Sequence, residues 1–543
     1  MYITPEPILY DKIKNDIENG LIKIPQFQRK FVWEKEKSAK LIDSILKSYP
    51  INSFIVWQTK ESLRILRNIG NISFKATPEG HFVNYILDGQ QRITSIYAAL
   101  NGVKFIRDDG KEEDYSSIYI DLDANIDDDI VILNVENKAE DTYISLVELM
   151  TGNISSIVAK YKNEDRLKKI DEYKNKINQY PFSLIRISDA DIIEATEIFT
   201  RLNVGGKKLS VFEIMVAKTF DNNKKFDLAE KYDYLIKRLK EVNYETIPSS
   251  TLLQCVSSCL TEECTKKVIL NLNKDDFINV YNEVENALIS TIDFFRNVYR
   301  IPVSELLPYD ALIVPFTYFF YKTKGVKPTA MQAKYLEDYF WRVVISSRFY
   351  SSLEQRIGQD INRIDLILNE QQPVYDEIID ITKDTISHNG EFTTSKGYIK
   401  GLLCLLAYMQ PKSFKDNSIV VIDNAWLKQA NSKNYHHFFP KAYMKKYKPK
   451  IPYEKVNHIA NITIVDGYIN KQEIRDKAPS VYMGKYINEN EHLTETMNTH
   501  LIDLDNFGIK DNNFDLFYKK RIEKIIEELK KRIILTNIDK FDV

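Results

Sequence analysis

Two histidines stand side by side at positions 436 and 437, and a third follows at 458, although the whole chain contains only seven. The surrounding residues indicate a strand, a loop, a second strand, a turn and a helix, which is a ββα arrangement. Neighbouring residues of a strand point to opposite faces, so His436 and His437 cannot do the same job. One imidazole can bind a metal ion while the other takes a proton from water, which is the chemistry of phosphodiester hydrolysis.

Two asparagines complete this candidate constellation. Asn461 lies in the apolar second strand, and Asn470 follows the turn after it. A histidine and an asparagine that share an ion with retained waters suit a hard cation such as Mg²⁺. Asn470 and Glu473 also have the spacing of a helix capping box, so a ligand and a cap both remain possible for Asn470. His458 can be structural, a neighbour of phosphate or a ligand.

A second polar motif joins an apolar run at 83–87, which predicts a buried strand, to a helical pattern that begins at 94. Its residues are Asp88, Gly89, Gln90, Gln91 and Arg92. Glycine lets a backbone come close to a bound group, and an arginine at a helix start can contact phosphate through two N–H groups. The two amide side chains can contact a base edge or orient a water. The alternative is an Asp-Gly turn with surface polar residues.

Residues 433–450 hold six lysines and no acidic residue, with five aromatic residues between them. Because the formal net charge of the chain is only −2, any nucleic-acid surface must be local. Lys441, Lys445 and Lys446 are therefore candidate contacts to a phosphate backbone. A solvated basic loop is the competing interpretation.

The 543 residues are enough for about three domains, and 44% hydrophobic with 28% charged residues is ordinary for a soluble globular protein. No basic-then-apolar signal and no run of eighteen apolar residues is visible, which predicts a cytoplasmic protein with no membrane partner. Four cysteines do not make a disulfide framework, and the three near 255–264 lack a fourth zinc ligand.

The pattern along the chain predicts an α+β fold in three parts. Residues 1–185 alternate strands, helices and turns at uneven spacing, which indicates an α+β domain. Residues 186–425 are predicted to be all helical, and 426–543 form the ββα region with packing helices. The last of these, an amphipathic helix predicted at 514–535, is expected to pack over the third domain.

Five blocks in this order resemble the GmrSD family of modification-dependent (type IV) restriction endonucleases. Three lie in the first half of the chain: Pro25, Gln28, Arg29 and Trp33; residues 88–92; and Phe199, Leu202, Asn203, Gly205, Gly206, Leu209 and Ser210. Two lie near the carboxyl end: His436-His437-Phe438-Phe439-Pro440, and Asn461 with Asn470 and Lys477-Ala478-Pro479. Ala460 replaces the usual glycine of the family, and His436 stands where an acidic residue is common.

The resemblance implies a C-terminal His-Asn-His (HNH, ββα-metal) nuclease domain. His437 would be the general base and His436 a metal ligand, with Mg²⁺ or Mn²⁺ as the cofactor. Asn461 would hold the base-bearing loop. Asn470 would take the third, metal-binding position, and Lys477 would touch phosphate.

The resemblance also implies an N-terminal ParB-like domain that binds and hydrolyses an NTP. Arg29 and Arg92 would contact phosphate, and Asp88 would position a cation or a water. Gln28, Gly89, Gln90, Gln91 and Asn203 would complete the nucleotide site, although a helix C-cap explains the 203–206 stretch equally well. Because no Walker lysine motif is present, any hydrolysis is not of the P-loop kind, and nucleotide sensing without turnover stays possible.

The primary functional hypothesis is a nucleotide-regulated, metal-dependent endonuclease that cuts modified phage DNA in bacterial defence. A second hypothesis is a ParB-like, nucleotide-switched DNA-binding regulator with an inactive nuclease domain. A third makes the first domain the nuclease. The sequence leaves open the DNA modification, the NTP and the oligomeric state, though double-strand cutting with one site per chain would favour a homodimer.

Overall fold

In the computed structural model the chain forms two compact units, Met1–Leu228 and Ala229–Val543. The described residues are all except 26–30, 32, 62, 64–67, 70, 71, 74, 79, 107–111, 126, 203–208, 222, 423–434, 466–468 and 543, and at 68, 69, 72, 73 and 470–472 only the backbone is described. Gln28, Arg29 and Asn203 therefore lie outside the described residues. The division at 185 and 425 stays a prediction.

The first unit mixes strands and helices, as predicted. Its elements are β1 (Tyr2–Ile8), α1 (Tyr10–Glu18), β2 (Ile22–Lys23), α2 (Lys35–Leu46), β3 (Phe54–Thr59), β4 (Asn68–Ile69), β5 (Ile72–Ser73), β6 (Val83–Asp88), α3 (Gln90–Asn101), β7 (Lys104–Ile106), β8 (Glu112–Asp114), β9 (Tyr119–Asp121), β10 (Val131–Ile132), β11 (Tyr143–Ser145), α4 (Leu146–Thr151), α5 (Ile154–Lys160), α6 (Glu164–Gln179), β12 (Phe182–Ser188), α7 (Ile192–Leu202) and α8 (Val211–Thr219).

A five-stranded mixed sheet in the order β1-β12-β3-β6-β2 organises this unit. β6 is buried on both faces: Tyr85 and Leu87 join a cluster that includes α7, whereas Ile86 joins the larger cluster that includes α2 and α3. The apolar run that predicts a buried strand is therefore β6. The strand alternates its side chains between two cores, which is why four of its six residues are apolar.

Gly89 joins β6 to α3 and lets the helix begin at Gln90, four residues earlier than predicted. Its φ is +91°, a left-handed conformation that costs a side-chain-bearing residue strain. A Cβ at this position would lie 2.6 Å from Cδ1 of Phe54. Both constraints require glycine here.

The second unit begins with helices and ends with a small hairpin and its covering helices. Its elements are α9 (Leu228–Lys240, which starts at the boundary), α10 (Ser249–Thr261), α11 (Lys266–Asn271), α12 (Lys274–Asn297), α13 (Ile313–Lys322), α14 (Ala330–Ile345), α15 (Leu353–Leu368), β13 (Asp380–Ile381), α16 (Lys383–Asn389), α17 (Gly397–Tyr408), β14 (Tyr435–His437), α18 (Lys441–Tyr447), α19 (Tyr453–Val456), β15 (Ile462–Ile464), a π-helix (Ile469–Ile474), α20 (Pro479–Glu489), α21 (Leu493–Asn498), α22 (Phe514–Lys530) and β16 (Lys540–Phe541).

Helix α22 packs over the hairpin, as its amphipathic pattern predicts. The ring of Phe517 stacks on that of Phe438 with centroids 4.8 Å apart, and Phe514 meets Phe439 edge to face at 5.3 Å. Arg521, one turn further along, donates to the Ile462 carbonyl from Nη2 at 3.1 Å. The helix thus holds both strands of the hairpin from one side.

None of the described helices is long and apolar enough to cross a membrane. The four cysteines are all buried and unpaired by disulfides, in agreement with the sequence. Burial raises the pKa of the Cys255 and Cys264 thiols to about 12, which keeps them protonated and unreactive at neutral pH.

Candidate functional site

The two adjacent histidines lie on β14, which pairs antiparallel with β15 so that His437 faces Ile462 and His436 faces Thr463. The two rings contact different neighbours. The ring of His437 meets Phe392, with centroids 6.2 Å apart, and that of His436 meets Phe414 and Tyr482. These separate surroundings agree with the different roles that strand geometry predicts for the two imidazoles.

Hydrogen bonds of Asn461, which directly precedes β15, connect this strand with the loop that follows His437. Its Oδ1 accepts from the backbone N–H of Phe439 at 2.8 Å. Its Nδ2 donates to the carbonyls of Phe439 at 3.0 Å and Val456 at 2.9 Å. The side chain is fully buried, and the Phe438 N–H also donates to the Asn461 carbonyl at 2.8 Å. Asn461 therefore connects the residues that follow β14 with α19 and with the start of β15.

Replacement of Asn461 by alanine is expected to destabilise the second unit by about 3 kcal/mol, because three buried backbone groups lose their partners. Urea unfolding followed by circular dichroism measures the change. Asn488→Ala, which removes one exposed hydrogen bond to the Gly484 carbonyl, is the matched control and should change stability by about 0.5 kcal/mol or less. Equal midpoints for Asn461→Ala and the control would contradict this role.

His437 is held as a neutral imidazole. Burial and, to a smaller extent, the nearby Lys441 ammonium lower its pKa to about 4, although a hydrogen bond to Asn457 partly opposes both effects. The Nε2 to Oδ1 distance in that bond is 3.1 Å. A neutral ring at pH 7 keeps one nitrogen lone pair, which is what a general base requires.

His436 has a different environment, with only 2% of its surface exposed and the rings of Phe414 and Tyr482 at 6.5 and 5.9 Å. Within the described part of the chain, no three His, Cys, Asp or Glu residues are grouped to hold a metal ion. A single imidazole between aromatic rings does not suit a hard divalent cation, which takes mostly oxygen ligands. The described residues alone therefore do not fit the metal that the resemblance implies.

The π-helix that carries Asn470 offers one carboxylate, Glu473, and that group is already engaged. It accepts from Lys415 at 3.3 Å, Lys485 at 2.7 Å and Tyr486 at 2.9 Å. Asn470 is the second residue of the helix Ile469–Ile474, so it lies inside the helix and does not occupy the N-cap position that a capping box requires. The side chain of Asn470 lies outside the described residues, and its role as a metal ligand stays a prediction.

Both ring nitrogens of His458 are occupied. Its Nδ1 accepts from the Ala460 N–H at 3.1 Å, and its Nε2 donates to the Ile386 carbonyl at 3.0 Å. Burial lowers the pKa of this imidazole to about 4. Of the three roles left open by the sequence, this arrangement supports the structural one.

The basic helix α18 begins four residues after His437. Lys441, Lys445 and Lys446 are exposed on it, and Lys441 Nζ lies 3.0 Å from the hydroxyl of Tyr453. Lys477 follows the π-helix and donates to the Glu473 carbonyl at 2.8 Å. The structure thus places three of the four predicted DNA-contact lysines on one short helix, and the Lys441 ammonium is close enough to His437 to lower its pKa.

In the first unit, the Arg92 side chain forms hydrogen bonds with other residues of the same unit. Its guanidinium donates from Nη1 to the Ile51 carbonyl at 2.8 Å and from Nη2 to the Ser53 carbonyl at 3.1 Å and to Asp88 at 2.9 Å. These bonds use three of its five N–H groups and fix the loop before β3 against α3. Contact with phosphate through a full two-pronged arrangement would require some of them to break.

The start of α3 contains buried polar atoms with no partner among the described residues. They are Nε2 of Gln90 and Oγ1 of Thr94 one turn later, and a third such atom, Oδ1 of Asn84, lies on the preceding strand β6. The neighbouring Gln91 accepts from the Trp33 N–H at 3.3 Å. Unpaired buried polar atoms are rare in folded proteins and commonly mark a site for water or ligand.

Sequence reasoning missed Asn84 and Thr94. The available signal was the asparagine in an otherwise apolar run, because a strand buried on both faces has no structural need for one. Thr94 sits four residues after Gln90 and so shares its helix face. Its hydroxyl gave no separate sequence signal.

Two comparisons with known proteins cover different shares of the chain. Residues 9–220 match the family model of the GmrSD restriction endonuclease N-terminal domain. The chain is also 24% identical to the uncharacterized protein MJ0686 of Methanocaldococcus jannaschii over an alignment of 602 residues that covers 98% of each. The matched region contains the 88–92 motif and is therefore similar to the N-terminal domain of a restriction endonuclease family.

Proposed function

We propose that this protein is a nucleotide-regulated DNA endonuclease in which the first unit binds an NTP and the second cuts DNA. One observation carries the cleavage part: Asn461 fixes the loop that follows a half-buried, neutral His437, and an exposed helix rich in lysine begins four residues after this histidine. The N-terminal family match supports the restriction-endonuclease part. The substrate we propose is modified phage DNA.

In the proposed reaction His437 acts as the general base. Its unprotonated ring nitrogen takes a proton from a water molecule, whose oxygen attacks the phosphorus and displaces one bridging oxygen of the backbone. Solvent protonates the leaving oxygen. Lys441, Lys445 and Lys446 would bind the flanking phosphates, so mutation of each should weaken binding of all sequences and reduce its salt dependence.

The proposed cofactor is Mg²⁺ or Mn²⁺, with His436 and Asn470 as its proposed ligands. When bound, such an ion supplies charge neutralisation at the leaving oxygen. The described residues do not complete a site for this ion. The role proposed for His437 therefore does not depend on the metal. Lys477 is proposed as a further phosphate contact.

We place NTP binding at the start of α3. The proposed residues are Gln28, Arg29, Asp88, Gly89, Gln90, Gln91, Arg92 and Asn203, to which the unpaired atoms of Asn84 and Thr94 are added. The free backbone N–H groups at a helix start favour an anionic group such as a phosphate. Binding with or without hydrolysis would suffice for regulation.

Replacement of Thr94 by valine is expected to weaken NTP binding about tenfold, the effect of one lost hydrogen bond to a ligand. Stability should not fall, since the hydroxyl has no partner among the described residues and valine has a similar shape. Titration of the full chain with ATP and with GTP in a calorimeter measures the change. Thr151→Val, on the exposed end of α4, is the control, and equal affinities for the two variants would contradict the placement.

The experiment that tests the proposal uses the purified full chain with modified and unmodified phage genomes. Each DNA is incubated with and without NTP, and with Mg²⁺ or Mn²⁺. We expect cleavage of the modified genome that depends on NTP and on metal. Sedimentation of the chain with and without NTP tests whether the active form is the proposed homodimer.

A second candidate function is a ParB-like, nucleotide-switched DNA-binding regulator with an inactive nuclease domain. The observation that favours it is the burial of His436 against two aromatic rings, because the described residues do not supply the set of ligands that a divalent cation takes. NTP-dependent DNA binding without cleavage under any of these conditions would select this alternative. Loss of cleavage in an Arg92→Ala variant that still binds NTP would instead point to a nuclease in the first unit.

A further inference from the structure

Asn457 lies at the end of α19, outside the motif blocks that point to a nuclease, and contacts His437 through its side chain. Its Oδ1 is 3.1 Å from Nε2 of His437, and its Nδ2 is 3.2 Å from the carbonyl oxygen of Phe392. A carbonyl oxygen can only accept, so the amide must turn its NH₂ group toward Phe392. The amide oxygen then faces the imidazole.

This orientation decides the tautomer of His437. An amide oxygen only accepts, so Nε2 of His437 must carry the proton and donate it. In a neutral imidazole the other nitrogen, Nδ1, then holds the lone pair. The hydrogen-bond chain from the Phe392 carbonyl through Asn457 to His437 therefore selects Nδ1 as the nitrogen able to accept a proton.

Backbone hydrogen bonds fix the position of Asn457 beside His437. Its carbonyl accepts from the Phe392 N–H at 2.8 Å, and the Ile459 N–H donates to the Gly390 carbonyl at 2.8 Å. Residues 390–392 thus pair with 457–459 on either side of His458, and Asn457 forms one end of this pairing. The approach is close: a Cβ on Gly390 would lie 2.1 Å from Nε2 of His458.

We propose that Asn457 is a positioning residue that fixes His437 as the Nε2–H tautomer, so that Nδ1 is the basic atom of the nuclease site. This inference rests on the proposed function for its catalytic meaning. The tautomer itself is a property of the folded chain and can be measured without any activity.

The first test is nuclear magnetic resonance of the deuterated full chain labelled with ¹⁵N-histidine. With seven histidines, the His437 signals are assigned by their absence from His437→Gln. The ring-proton correlations of His437 should show a protonated Nε2 and an unprotonated Nδ1 in the wild type. Asn457→Leu should lose this preference and Asn457→Asp, which keeps an accepting oxygen, should retain it. A wild-type Nδ1–H tautomer, or an unchanged spectrum in Asn457→Leu, would overturn the inference.

The second test is the cleavage rate. A base in the wrong tautomer loses much of its effect, so Asn457→Leu should lower kcat by about 10-fold or more with KM for DNA unchanged, and Asn457→Asp should recover most of the loss. If the wild type cleaves and Asn457→Leu cleaves equally well, the inference fails while the proposed function stands. If the wild type cleaves nothing, the proposed function fails, and the resonance experiment still decides the tautomer.

Discussion

Replacement of His437 by alanine is expected to lower the rate of DNA cleavage by about 10² to 10⁴-fold, the range contributed by a positioned general base. The reason is that the half-buried imidazole is neutral at pH 7 and directly precedes a loop fixed by Asn461. The measurement is single-turnover cleavage with saturating enzyme, which separates the chemical step from DNA binding. NTP binding should be unchanged because the variant leaves the first unit intact.

A control variant and a measurement of folding distinguish loss of catalysis from loss of structure. His492→Ala removes an exposed imidazole beside Glu491 and Glu495 and should cleave at the wild-type rate. Circular dichroism of His437→Ala should match the wild type at pH 7.5. A folded His437→Ala protein that cleaves as fast as His492→Ala would remove this residue from the mechanism.

A fall from pH 7.5 to pH 5 is expected to reduce the free energy of unfolding by about 4 kcal/mol through two buried histidines alone. Burial lowers the pKa of His458 to about 4 and that of His500 to about 3, from an ordinary 6.5. Below pH 6.5 the unfolded chain binds protons that the folded chain does not. Stability is therefore complete above pH 6.5 and falls with pH down to the folded pKa, by about 2 kcal/mol per group at pH 5.

Urea unfolding at pH 7.5 and pH 5 measures this effect. His500 is fully enclosed, donates to the Lys412 carbonyl at 2.7 Å and contacts the ring of Phe414. His500→Gln removes the titrating ring, so the difference between the two pH values should shrink by about 2 kcal/mol. His492→Gln should leave that difference unchanged. A His500→Gln protein with the full wild-type difference would show that His500 does not titrate as described.

Local patterns were sufficient for the elements around both sites. The apolar run at 83–87 predicts β6, since a strand covered on both faces needs apolar side chains throughout. The spacing in the last long helix likewise predicts its buried side and its packing over the hairpin, although α22 ends at Lys530, before the predicted end at 535. Such signals depend on neighbours within one element, so a single sequence contains them.

Contacts between distant segments were not predictable in this way. Arg92 reaches Ile51 and Ser53, about forty positions earlier, and its internal hydrogen bonds compete with the phosphate contact that the motif suggests. His436 meets Phe414 and Tyr482, which no local pattern connects to it. Asn457 depends on the Phe392 carbonyl in the same manner. Each of these pairings depends on tertiary packing, which local patterns in one sequence do not predict.

The measurement that tests the account most directly is conversion of supercoiled, modified phage-derived DNA by wild-type protein and by His437→Ala, prepared in parallel with NTP and Mg²⁺ or Mn²⁺. We expect nicked or linear product with the wild type, and loss of that product with the variant although it still binds NTP and DNA. Equal product from both preparations, or none from a wild type that binds both ligands, would contradict it.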